Sequence, residues 1–436
     1  MNKNILKILL GIFIFFSVIR LAHTFYSVYI NINSQSENNE TAASDTSDIY
    51  GNTVIYDVTD SDDSAAPDTT ESATTSPITE WGKEKAPLSS REYINGKCIY
   101  YANEYVPEKR DDIYVMYNLL SDKDKMVYNL FMDLVENRNG EDYTSGIIVS
   151  DRDLAQIDED HFWYIYYAML NDHPEFFSLR NDSDLIECYT LTDDDYKAYM
   201  YSISAVSATE AKQQKAFYDA VGNFMKDIDL SLSDEEIELA IHDKLIDLVS
   251  YDYELLERSD DPDFNDLGFT AYGALVCNSK GVPNYSVCAG YSYAFEYLCQ
   301  QAGIPCSVIA GDAIDLEDPE DQEELTHAWN IVKVNGKWYE LDVTWDDIEW
   351  DESDDLEFYE ELQKDTEKYN NALHHFYNRT TAEMEYLEAT DDTLFYVEGY
   401  SPYNLQYDTS HVRFKEYTGT VDDIDVFINN LLPIAE

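Results

Sequence analysis

"THAWNIVKVNGKWYELDVTWDD", Thr326 to Asp347, reads as two β-rich runs around Asn335-Gly336, the strongest two-residue hairpin signal a sequence offers. If those two residues form the loop, Val334 faces Lys337, and counting outward sets Trp329 opposite Asp342 and His327 opposite Thr344. His327 and Asp342 then leave the same face as diagonal neighbours, roughly 7 Å apart at the backbone and within side-chain reach. A histidine alone in such a strand reads as a hydrogen-bonded sheet residue. With Asp342 beside it, His327 becomes a general base with its orienting group: the carboxylate fixes the tautomer and stabilises the imidazolium, while the other ring nitrogen is left to face a nucleophile.

A nucleophile is available upstream. In "NYSVCAGYSYAFEYLCQQAGIPC", Asn284 to Cys306, the residues Tyr291, Phe295, Leu298, Cys299 and Ala302 follow the helical period, and Gly303 and Pro305 stop the helix. Cys288 therefore opens the helix, where unpaired N–H groups and the helix dipole favour an anion and draw a thiol toward its reactive form. Ala289 and Gly290 are small enough to leave the sulfur accessible to a substrate backbone. The other cysteines, 98, 188, 277, 299 and 306, leave both buried thiols and one or two disulfides open, and show no metal-ligand spacing.

Cys288 in "VCAGYSYAF", His327 in "HAWNIV" and Asp342 in "GKWYELDVTWDD" resemble the Cys, His and Asp boxes of the transglutaminase-like superfamily, in particular its bacterial extracellular branch. The order, the spacing and Gly303-Ile304-Pro305 match. The resemblance covers about residues 235 to 381, includes "YDYE" at Tyr251 and "AYGALV" at Tyr272, and extends more loosely to "NDHPEFF" and "LHHFYNRTTAEM". It implies an α+β fold with a papain-like core, the cysteine helix packed on an antiparallel sheet carrying His327 and Asp342. It also implies acyl transfer through a thioester, with Cys288, His327 and Asp342 as the catalytic residues and no cofactor. The backbone N–H of Cys288 is one expected oxyanion donor. A second is expected from the family, with Tyr251, Tyr253 and Tyr272 as candidates. Gly290, Trp329 and Tyr272 are taken as residues lining the substrate site, Trp329 as a shield against water.

Around this core the chain divides as residues 1–30, 31–90, 91–228, 229–390 and 391–436. The start places Lys3 and Lys7 before an apolar run from Ile8 to Ile19, the layout of an export signal, here read as an uncleaved anchor with the rest of the chain outside the cell, the alternative being a cleaved signal and a secreted chain. Residues 34–80 lack Lys, Arg, His, Leu, Met, Phe, Trp and Cys. They cannot bury enough apolar surface to fold and read as an acidic stalk. Residues 91–228 form a mainly helical accessory domain, opened by a hairpin at Asn95-Gly96, with helices around 121–137 and 158–172 and the strand "LIECYTLT". Ser233 and Glu236 announce the next helix as a capping box. His161, His173, His374, His375 and His411 are read as structural.

The 88 acidic side chains against 28 basic ones give a formal charge of −60 over 436 residues, which repels phosphate backbones and argues against a nucleic-acid partner. The acidic run Asp312 to Glu324 lacks the glycine and spacing of a calcium loop, so no metal is assigned to it. The expected partner is a protein or peptide substrate, with cell-wall peptide as one possibility, and the membrane through the anchor. Water as acyl acceptor gives a peptidase or amidase, an amine gives cross-linking, and the reading leans to hydrolysis. The alternative is a non-catalytic cell-surface or cell-wall-associated module on the same fold.

Overall fold

The computed structural model describes residues 91–94, 97–101, 110–136, 138, 144–151, 159–181, 185–192, 196–253, 255, 267–276, 284–316, 325–348, 360–397, 403–416 and 423–436. All lie in the compact unit Ser64–Glu436. The anchor expected at 1–30 and the stalk at 31–90 fall outside the described residues, and among those described no helix is long and apolar enough to cross a membrane.

The fold is α+β. Its first part pairs helices with a five-stranded sheet in the order β1-β2-β3-β5-β4, from β1 (Arg91–Ile94), β2 (Lys97–Tyr101), β3 (Thr144–Asp151), β4 (Ile186–Thr192) and β5 (Tyr196–Ile203). The opening hairpin and the "IECYTLT" strand fall where the sequence puts them. β3 and β5 were not legible as strands, and β2 and β3 run parallel across a helical crossover. Helices Asp122–Glu136 and Glu159–Asp172 bury Leu130, Phe131, Ile165, Tyr166 and Met169 between them.

The second part holds two short strand pairs, β6 (Val249–Tyr251) with β7 (Asn284–Ser286) and β11 (Leu394–Phe395) with β12 (Tyr403–Asn404), and is built on a four-stranded antiparallel sheet, β10-β9-β8-β13, from β8 (Cys306–Asp315), β9 (Leu325–Val334), β10 (Lys337–Leu341) and β13 (Thr409–Arg413). The β9-β10 register is the one counted from the sequence from Val334 against Lys337 to Asn330 against Leu341, but the chain then turns into helix Val343–Asp346, so the counted pairs Trp329 with Asp342 and His327 with Thr344 are not strand pairs. Asn335 and Gly336 both have positive φ, 51° and 79°, the conformation a primed two-residue turn requires. Helix Cys288–Gln301 lies on one face of this sheet, and its Tyr291, Phe295 and Leu298 share a core with Ile241 and Leu245 of helix Asp234–Ile246 and with Phe177, Phe217, Val221 and Phe224. The opposite face carries Ile309, Trp329 and Ile331 against Phe376, Met384 and helix Asp423–Leu431. Thus segments 91–228 and 391–436 both pack on the central sheet and the helix laid on it: Asn171 Nδ2 donates to Ser307 Oγ at 3.0 Å and Asn429 Nδ2 to the Ala310 carbonyl at 2.6 Å on the sheet, and Gln300 Nε2 of the helix to the Asp172 carbonyl at 3.1 Å.

Candidate active site

The helix that begins at Cys288 is seated by what it lacks. A Cβ on Gly290 would meet Ser286 Oγ at 1.9 Å and the Gly268 carbonyl at 2.6 Å. Glycine at 290 therefore lets the first turn press onto the 268–270 backbone. This corrects the expectation that it opens a path to the substrate. Ser292 Oγ donates to the Ala328 carbonyl at 2.9 Å, Asn330 Nδ2 returns a bond to the Ser292 carbonyl at 2.9 Å, and Tyr291 Oη reaches Asp347 at 2.7 Å. Those bonds fix the helix start against β9 at His327 and Ala328.

Asp342 caps the four-residue helix Val343–Asp346, its Oδ1 accepting the backbone N–H of Thr344 at 2.9 Å and Trp345 at 3.2 Å. The capping role orients the other oxygen. Oδ2 accepts from His327 Nε2 at 2.6 Å, and the His327 ring also hydrogen-bonds the Cys288 thiol. With Nε2 committed to the carboxylate, Nδ1 is the ring nitrogen left for sulfur. The three residues selected from sequence are thus brought together in the order thiol, imidazole, carboxylate.

Their electrostatics follow from that contact. Loss of water around the sulfur raises the Cys288 pKa, but the His327 charge and hydrogen bond, with the Ala328 backbone N–H, outweigh it and hold the thiol below its ordinary value. Burial works against the His327 cation, yet Asp342 and Cys288 raise its pKa to about 10. Asp342 is held well below the usual carboxylate range: burial opposes ionisation, and His327 and then His411 overcome it. This is the pattern of a thiolate–imidazolium pair on a charged carboxylate.

His411 is the residue the sequence reading missed. On β13, opposite Ala313, it donates from Nε2 to the same Asp342 oxygen at 2.9 Å, within an enclosure of Trp345, Phe376 and Trp329 with ring centroids 4.7, 5.2 and 5.3 Å away. It was read as structural because "DTSHVRF" carries no motif. Only strand order β8-β13 places it beside a carboxylate 69 positions earlier. Burial lowers its pKa despite Asp342, and its Nδ1 has no hydrogen-bond partner among the described residues. Both point to a neutral ring that donates one proton to Asp342.

Trp329 is fully buried, its ring stacked 6.2 Å from His327 and its Nε1 donating to Glu340 Oε2 at 2.7 Å. It stands behind the pair and presents no face to solvent, so its expected place in the substrate site does not fit its burial. Tyr251 hydrogen-bonds the Cys288 thiol, and exposed Tyr253 lies 4.9 Å from the Tyr251 ring. Tyr272 packs its ring 4.9 Å from Phe177 at the core edge. Cys299 and Cys306 are free, buried thiols in mutual contact, with pKa values raised by burial. Cys98, Cys188 and Cys277 have no described side chains.

Residues 224–343 match the family described as the transglutaminase-like superfamily, a range that includes Cys288, His327 and Asp342. That segment is a transglutaminase-like domain. Over 61 residues the chain is 36% identical to kyphoscoliosis peptidase of Homo sapiens, a stretch covering 13% of this chain and 9% of that protein. Among solved structures, one described as a TGase has 13% sequence identity, covers 53% of this chain and 61% of its own, and has a TM-score of 0.23. The periplasmic domain of TgpA from Pseudomonas aeruginosa has 15% identity, with 37% and 63% covered and a TM-score of 0.20.

Proposed function

We propose that the protein is a cell-surface cysteine acyltransferase of the hydrolytic kind, acting on a peptide or glutamine carbonyl. The observation that carries the reading is the Cys288 thiol held below its ordinary pKa by a His327 ring whose far nitrogen is bound to Asp342. Cys288 Sγ attacks the carbonyl carbon, and the tetrahedral oxyanion is met by the backbone N–H of Cys288, with the Tyr251 hydroxyl beside the sulfur as the second donor. His327 gives its proton to the departing amine or ammonia, leaving a thioester. Water, deprotonated by the now neutral His327, attacks that thioester and frees the acid and the thiol. Asp342 stays ionised throughout, and His411 holds its carboxylate against rotation. Export and anchoring by residues 1–30 complete the reading, from the charge and hydropathy of that segment alone.

Intact-mass labelling of the full-length chain with a thiol-directed alkylating reagent, across pH, tests it. One fast site is expected below pH 7, absent in Cys288→Ala and slowed by about 100-fold or more in His327→Ala. Labelling of Cys288 at the rate of an ordinary thiol would remove the chemistry from the reading. On a glutamine peptide offered with an amine, acid and ammonia without isopeptide support hydrolysis, whereas an isopeptide product moves the assignment to transamidation.

A further inference from the structure

Helix Asp234–Ile246 carries His242 on its buried face, and helix Thr366–Leu373 is capped by His374. Between the two rings stands Asp243, whose Oδ1 is 3.1 Å from His242 Nδ1 and 2.7 Å from His374 Nε2. We propose that these three atoms form a binding site for a divalent metal ion of the zinc class, completed by water from solvent.

The far side of each ring is already occupied. His242 Nε2 faces the buried Asp346 carboxylate at 3.1 Å, and His374 Nδ1 faces the Asn370 carbonyl at 2.7 Å. Both far positions meet an acceptor, so a neutral ring holds its single proton there. The near nitrogens then present lone pairs to a carboxylate oxygen, an arrangement of acceptors that needs either a second proton on each ring or a cation among them. A carboxylate behind one imidazole and a backbone carbonyl behind the other are the outer partners that orient metal-ligating histidines and raise their donor strength.

The remaining geometry suits such an ion. All three ligand atoms lie within 4.8 Å of one another. Zinc–nitrogen and zinc–oxygen bonds near 2.1 Å set ligand atoms roughly 3.4 Å apart in a tetrahedron, so the two contacts to Asp243, at 3.1 and 2.7 Å, need open by less than an ångström. The Asp243 and His374 side chains are 51% and 26% exposed, which gives an ion a path in and leaves room for water. Two imidazoles with one carboxylate favour zinc and its transition-metal neighbours over calcium or magnesium. The cradle is also already assembled, since Tyr377 Oη and Asn378 Nδ2 bind Glu238 of the first helix at 2.7 and 2.9 Å. No sequence motif marks the site, because its ligands stand 131 positions apart.

The test is zinc binding by the full-length chain carrying Cys288→Ala, which removes the partly exposed thiol. Bound zinc is measured by elemental analysis after equilibrium dialysis, and the melting temperature is read with and without zinc. With 88 Asp and Glu on the chain, weak adventitious binding is expected, so the deciding quantity is the difference between variants. One tight equivalent and a zinc-dependent rise in melting temperature are expected, with affinity falling at least 10-fold in His374→Ala and in Asp243→Asn. Both substitutions lie at partly exposed positions, and circular dichroism checks that each variant folds. Absence of a tight equivalent, or retention of it in both folded variants, would overturn the site.

Discussion

Two clusters with the same donor set, a pair of imidazoles about one carboxylate, stand at either end of the four-residue helix Val343–Asp346. At its start Asp342 joins His327 and His411, and from its end Asp346 reaches His242, which neighbours Asp243 and His374. What differs is how the carboxylate is already spent. Asp342 is fully buried and all its acceptor capacity is used, two backbone N–H groups on one oxygen and two rings on the other. Asp243 is half exposed and, among the described residues, its side chain takes only the two rings. A closed carboxylate with four donors serves as a fixed negative charge that makes His327 basic and, through it, the thiol acidic. An open one can exchange protons for a cation. The same residue types thus carry different chemistry, and burial decides which.

The largest effect expected on this contrast comes from Asp342→Asn. The amide keeps the size but removes the charge and supplies an N–H where His327 needs an acceptor. Activity on a peptide amide should fall by about 10³- to 10⁴-fold. The pH profile should change as well. In the native site the reactive pair exists above the lowered Cys288 pKa and below the His327 value of about 10. Without Asp342, which raises His327, the upper limb of the rate profile should move to lower pH. An unchanged upper limb would mean that another group keeps the imidazole protonated.

A smaller effect, on stability, probes the link between the clusters. Asp346 Oδ2 accepts from His242 and Oδ1 from the Phe376 backbone N–H at 2.9 Å, with every partner buried. Asp346→Ala leaves both donors without an acceptor and should cost about 3 kcal/mol in denaturant unfolding. Burial pushes the Asp346 pKa up to about 6, so its charge is held at some expense. A loss under about 1 kcal/mol would show that desolvation nearly cancels the pair.

In the closed cluster His327 and Asp342 were legible in the sequence, whereas His411 and the open cluster were not, for a physical reason. Asn335-Gly336 fixes a turn by backbone stereochemistry, a turn fixes a register, and the register, which runs to Asn330 against Leu341, delivers Asp342 within reach of His327, all within 22 consecutive residues. Cys288 was legible because a helix start has its own grammar of periodicity and stop signals. His411 and His374 depend instead on how remote strands and helices pack, which no local rule encodes. Gly290 shows the same limit: the sequence marks a small residue, and only the packed 268–270 backbone says which way the missing side chain pointed.

The smallest effect tests whether the two clusters are mechanically separable. Ser233 opens the helix that carries His242, its Oγ accepting the Glu236 N–H while the Glu236 carboxylate accepts the Ser233 N–H at 3.0 Å. Ser233→Ala removes one half of that box and should destabilise the fold by about 1 kcal/mol. The cap lies more than two turns before His242, roughly 14 Å along the axis at 1.5 Å per residue, and its first turn is exposed. The lost free energy should therefore appear as fraying at that end, with the alkylation rate of Cys288 unaltered. Slower alkylation at unchanged pH would mean that strain in this helix passes through His242 and Asp346 into the helix that Asp342 caps, and the two ends of that short helix would then act as one device.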